Sequence, residues 1–116
     1  MSEKKFAQAY LKSLRVSPLK LSKITRAIAG QPVDKAMMQL DFCNLKSAKA
    51  VRELLKSAMI NAENNHGMDI DKLVIHRIDT GKAFVMKRFR ARAKGRGNRI
   101  LKPFSHIRII LTEVEE

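Results

Sequence analysis

From Pro18 to Gly30 the apolar positions Leu21, Ile24 and Ile28 recur at intervals of three and four, the period of one helix face. Ser17 is suited to cap the first turn, Pro18 to fill the first helical position, and Gly30 to follow the end. The pattern predicts a helix with a buried stripe of Leu21, Ile24 and Ile28, and with Lys20, Lys23 and Arg26 near one another on another face. After Pro32 a second, short helix is predicted, with Asp34 in its first turn and Val33, Met37 and Leu40 on one side. Helical spacing resumes at Val51, Leu55, Ala58, Met59 and Ala62, joined by Leu54. It predicts a third and longest helix from about Leu45 to Asn65, stopped at Gly67. Met37, Met38 and Met59 are expected to fill core, and Cys43 to be a small buried hydrophobe without chemistry.

The period then shortens. "LVIHRI" and "HIRIILT" are β-branched, and in the second Ile107, Ile109 and Leu111 fall on one face, so both are predicted strands. Residues 4 to 12, "KKFAQAYLK", predict a further strand with Phe6, Gln8 and Tyr10 on one side. Between the two long strands lies "MKRFRARAKGRGNR", with bases at Arg88, Arg90, Arg92, Lys94 and Arg96, every second residue. A period of two belongs to extended backbone, whereas a helix would spread these charges round its barrel. If Lys72 to Thr112 form one antiparallel ribbon, its midpoint is residue 92 and the basic run is its tip. An arm of about 20 residues would reach about 65 Å at ~3.3 Å per residue, well beyond a small domain. Its outer half, with only Phe89, Ala91 and Ala93 as apolar residues between Lys87 and Arg99, lacks a hydrophobic face and should be mobile until bound.

The expected fold class is therefore α+β: three helices packed on a small antiparallel sheet from which a long two-stranded basic β-hairpin protrudes. Residues 1–116 are expected to form a single domain, of a length that supports one modest core, with residues 80–102 as the outer part of the hairpin.

Charge decides what such a hairpin meets. The net charge is +13, which favours polyanionic partners. It is also segregated: Lys4 to Val33 carry seven bases and no acid, Asp34 to Asp79 seven of each, and Thr80 to Thr112 ten bases and no acid. Like charges crowded together repel, so two acid-free blocks imply that a partner supplies the anions. From Met86 to Arg99 arginine outnumbers lysine five to two, and its planar fork grips phosphate bidentately or stacks on a base. Alanine and glycine between the bases let an RNA backbone approach closely, and Phe89 is suited either to stacking on a base or to packing across the ribbon.

Other chemistry is not signalled. The early positive charges are not followed by the apolar run of an export signal, no stretch approaches a membrane span, and one cysteine cannot form an internal disulfide, so a cytoplasmic-type compartment is expected. The glycines of "GKAFVMK" and "KGRG" lack nucleotide-cradle spacing. His66, His76 and His106 stand far apart, and Asp69, Asp71 and Asp79 form no recognisable metal or acid–base set. No enzyme activity, metal, cofactor or small-molecule substrate is expected. A nucleoid-type architectural DNA binder with basic β-arms is the alternative; it would need a large dimer interface, and the arms between Lys82 and Arg99 carry no wedge proline.

Several stretches taken together, "RVSPLKLSKITRAIAG", "VDKAM", "LKSAMINAENNHGMDIDKLVI" and "MKRFRARAKGRGNRILKPFSHIRIIL", closely resemble the bacterial-type large-subunit ribosomal protein family numbered twenty-two, in order and over almost the whole chain. The resemblance implies a compact domain on the outside of the large ribosomal subunit, binding its RNA and supporting assembly, with a hairpin whose tip lines the polypeptide exit tunnel. The expected partners are large-subunit ribosomal RNA, neighbouring ribosomal proteins and the nascent polypeptide. RNA-binding roles are expected for Arg15, Ser17, Lys20, Lys23, Arg26, Lys82, Lys87, Arg88, Arg90, Arg92, Lys94, Arg96, Arg99 and Lys102, and a tunnel-lining role for Arg88, Phe89, Arg90, Ala91 and Arg92. Where many members have a base after the proline of the first helix this chain has Leu19, and where many have proline before the tip arginine it has Ala91.

Overall fold

The computed structural model describes the backbone of residues 5–43, 45–91 and 97–114, and the side chains of these residues except 84–102. In chain order it consists of strand β1 (Phe6–Leu14), helices α1 (Pro18–Ile28), α2 (Val33–Asp41) and α3 (Ala48–His66), a short 3-10 turn (Ile70–Lys72), and strands β2 (Leu73–Ala91) and β3 (Gly97–Glu113). The strands form one antiparallel sheet in the order β1-β3-β2, and the three helices pack on it.

The helix ends are set by local chemistry. Ser17 caps α1, its hydroxyl accepting from the Lys20 amide at 3.3 Å, and Pro18 takes the first turn. Gly67 closes α3 in the left-handed region at φ 61°, a conformation that costs glycine little. The third helix begins at Ala48, three residues later than its apolar period suggested, because Leu45 to Ser47 form the turn that leads into it.

The core is a sandwich of helix stripes and one sheet face. Leu21, Ile24 and Ile28 of α1, Val33, Ala36 and Leu40 of α2, and Val51, Leu55, Ala58 and Ala62 of α3 are buried against Ala7, Leu73, Ile75, Ile107, Ile109 and Leu111. On α2, Met37 is half-buried but Met38 is 61% exposed, against the expectation that it fills core. One residue is about 100° of helix rotation, which carries Met38 off the stripe. Met59 and Cys43 are half-buried against the core.

Each edge strand of the sheet body is tied to the helical layer at one place. Gly30, at φ 80°, donates its amide to the Ile75 carbonyl at 3.1 Å, Ile75 donates to the Gln31 carbonyl at 2.9 Å, and Pro32 bridges Val74, so the α1–α2 turn is tied to β2. On the other edge Asn61 of α3 donates its amide nitrogen to the Gln8 carbonyl of β1 at 3.0 Å and accepts from Asn65 through its oxygen.

The pairing of β2 with β3 runs from Leu73↔Glu113 to Ala91↔Gly97, with irregularities between Ile75 and Arg77 and between Lys82 and Phe84. Each adds a residue on β2. The first resets the alternation, so that Leu73 and Ile75 face the core in one phase and Ile78 packs against it in the other. The midpoint of the paired residues lies at 93 for the first pair, because Leu73 rather than Lys72 starts the pairing and Glu113 ends it, and the two added residues carry it to 94 at Ala91↔Gly97, rather than the expected 92. At the paired position Gly81↔His106 a side chain on residue 81 would collide with the His106 imidazole, so glycine is required for the ring to lie across β2.

Candidate nucleic-acid interface

A groove of about 670 Å³ opens where the end of β1, the start of α1, the α2–α3 connection and Pro103 of β3 converge. Its rim carries Arg15, Lys20, Lys23 and Lys46, and Ser17 lies between them. Sequence order makes Arg15, Lys20 and Lys23 neighbours: a bend takes the chain from β1 straight into α1, and Lys20 and Lys23 are one turn apart on the exposed side of that helix. A buried hydroxyl holds the bend in place. Ser105 of β3 has no exposed surface and donates to the Val16 carbonyl at 2.6 Å, tying the bend to the sheet.

Among the described residues none of these cations is in an ion pair. The ion pairs among the described residues are Arg52 with Asp41 and Arg77 with Asp79 at 3.2 Å, and none of these four residues lines the groove. The amino-terminal end of α1 also opens here, with no acidic residue in its first turn, so its partial positive charge adds to that of the side chains. Four bases in no ion pair among the described residues, with a helix N-terminus beside them around one concavity, suit the repeated, negatively charged oxygens of a phosphodiester chain.

The structure thus brings together Arg15, Ser17, Lys20 and Lys23 of the residues expected from sequence, and adds Lys46, which sequence spacing did not point to. Lys46 precedes α3 and reaches this site only through the packing of α3 across the sheet. Arg26 is exposed in the last turn of α1 but does not line the groove. Each step of three residues falls about 60° short of a full helical turn, so two steps carry Arg26 about 120° round from Lys20. Lys82 is exposed on β2, opposite Ser105 in the register. Further along, the register places Lys87, Arg88, Phe89, Arg90 and Ala91 of β2 opposite Leu101, Ile100, Arg99, Asn98 and Gly97, and Met86 opposite Lys102. Arg92, Lys94 and Arg96 lie outside the described residues. Among the described residues no His, Cys, Asp and Glu cluster suits a metal ion, and no helix is long and apolar enough to cross a membrane.

An α+β body with a groove rimmed by four bases, none in an ion pair among the described residues, places the chain in the class of small basic α+β proteins. The family model for ribosomal protein L22p/L17e matches residues 9–112. A large ribosomal subunit protein uL22 from Maricaulis maris is 51% identical over 110 residues, covering 95% of this chain and 87% of that protein. The proteins of the same name from Agrobacterium fabrum and Methylorubrum populi are 48% and 50% identical, covering 95% and 93% of this chain and 85% of each relative. The chain belongs to the L22p/L17e family of ribosomal proteins. It is a structural, non-enzymatic protein of the large ribosomal subunit, and the DNA-architectural alternative is left without support.

Proposed function

We propose that this protein grips large-subunit ribosomal RNA at two places. The body does so through Arg15, Ser17, Lys20, Lys23 and Lys46, and the outer hairpin, residues 80–102, does so by running into the RNA. The observation that carries the first contact is the groove itself, with four bases sharing one concavity and no acid paired to them among the described residues. Arg26, Lys82 and the bases from Lys87 to Lys102 extend the same cationic surface along α1 and the ribbon.

Support for the second contact comes from the sheet register. The pairing of β1 with β3 reaches only Leu14↔Ser105, whereas that of β2 with β3 continues to Ala91↔Gly97. Ten residues of β2, from Lys82 to Ala91, then span about 30 Å at ~3.3 Å each, in keeping with a long axis of 69 Å against 27 and 20 Å for the others. A ribbon so long, and between Lys87 and Arg99 so poor in apolar residues, gains its packing from a partner, and the acid-free block it carries names a polyanion. On this account residues 1–116 act as one domain. The tip, Arg88 to Arg92, lines the polypeptide exit tunnel, where the nascent chain passes it, and neighbouring ribosomal proteins complete the surroundings.

The test is the salt dependence of binding to ribosomal RNA fragments. With about ten phosphates neutralised, log affinity falls against log salt with a slope of about −7 to −9. A slope near zero contradicts an electrostatic grip.

A further inference from the structure

The groove leaves a second surface unexplained. The helices cover one face of the sheet, and the other is open and aromatic. On it Phe6 and Tyr10 of β1 are 44% and 47% exposed, four residues apart on the same side of the strand. Each is matched by an imidazole: Phe6 with His76, ring centres 5.0 Å apart and tilted by 53°, and Tyr10 with His106, 6.1 Å apart and tilted by 46°. The guanidinium of Arg108, opposite Tyr10 in the register, lies 5.1 Å from the centre of the tyrosine ring. Gly81 leaves the room in which the His106 ring crosses β2.

We propose that this open sheet face is a stacking platform for unpaired bases of ribosomal RNA, with Phe6–His76 and Tyr10–His106–Arg108 as its two stations. The proposal rests on RNA being the partner of the groove, and it names a separate surface and a different chemistry. Exposed aromatic rings and a guanidinium plane are what splayed bases stack on, since every base has a π-face. The stations are about 13 Å apart along β1 at ~3.3 Å per residue, several times the ~3.4 Å between neighbouring bases in a duplex strand, so they suit non-adjacent bases of an unstacked loop. Charge selects RNA over an apolar protein surface. Lys12 and Arg108 are exposed and in no ion pair among the described residues, and the carboxylate of Asp79, opposite Arg108 in the register, is engaged by Arg77. The face is also continuous with the groove, because β1 leads from Tyr10 through Lys12 to Arg15 on the groove rim.

The chain contains one tyrosine and no tryptophan, so tyrosine emission reports the Tyr10 station alone. The experiment titrates the full-length protein with a labelled oligoadenylate and, separately, with an abasic oligonucleotide of equal length. Binding is followed by label anisotropy and stacking by tyrosine emission, with free tyrosine amide as the absorption control. The proposal predicts that the oligoadenylate quenches Tyr10 while the abasic chain binds without quenching. It also predicts that Phe6→Ala or Tyr10→Ala weakens oligoadenylate binding about tenfold or more and leaves abasic binding unchanged. Binding without quenching, or equal quenching by both chains, overturns the platform and leaves the groove standing. Failure of both chains to bind overturns the groove as well. The quenching comparison uses the unaltered protein, so it decides the matter even if a variant folds poorly.

Discussion

Replacing Leu55 with alanine lowers the free energy of unfolding by about 2–5 kcal/mol. Leu55 has no exposed surface and sits on the buried stripe of α3, among the helix and sheet residues of the core. Truncation removes buried apolar area and leaves a cavity, because α3 is held in place on the C-terminal side of Leu55: Gly67 fixes its exit, and Asn61 pins it to the β1 edge. With a domain of about 100 residues, each 1 kcal/mol shifts the melting temperature by about 4–8 °C, so the loss is large in a thermal scan. A change of less than 0.5 kcal/mol would mean that α3 is not packed as described.

Neutralising the groove has the opposite signature. The triple replacement Lys20→Gln, Lys23→Gln and Lys46→Gln weakens binding of ribosomal RNA about a hundredfold, at about 1 kcal/mol for each lost charge contact. It also lowers the magnitude of the salt slope by about 2 to 3. Folding is little affected, because all three lysines are exposed and none is in an ion pair among the described residues. Lys46 makes this a test of three-dimensional placement. If Lys20→Gln and Lys23→Gln reduce affinity but Lys46→Gln adds nothing, the groove is not one site.

How much of this the sequence discloses depends on the range of the interaction involved. The first helix is fully legible because its signals are local: a serine whose hydroxyl reaches an amide three residues on, a proline at the start, and a stripe of period 3.6. The same holds for Ile107, Ile109 and Leu111, whose alternation puts all three on the buried side of β3. Alternation is silent about bulges and about register: the two irregularities on β2 moved the ribbon midpoint by one residue, and the starting pair Leu73↔Glu113 moved it by another. Met38 has the hydrophobicity of a core residue but not the helical phase of one. Long-range contacts were the least visible. Lys46 joins Lys20 and Lys23 only through the packing of α3, and the Ser105 hydroxyl that fixes the bend at Val16 comes from a strand 89 residues away in sequence. The facing pair of Tyr10 with Arg108 likewise exists only once β1 has taken its place beside β3.

The central claim is that a folded body offers ribosomal RNA a cationic groove while a long ribbon reaches into that RNA. A density map of the large subunit with this protein in place tests it most directly. The account predicts RNA phosphates within hydrogen-bonding reach of Lys20, Lys23 and Lys46, and residues 86–99 running between RNA segments toward the tunnel. A map in which that groove faces open solvent, with residues 86–99 folded back on the helices of their own chain, would contradict it.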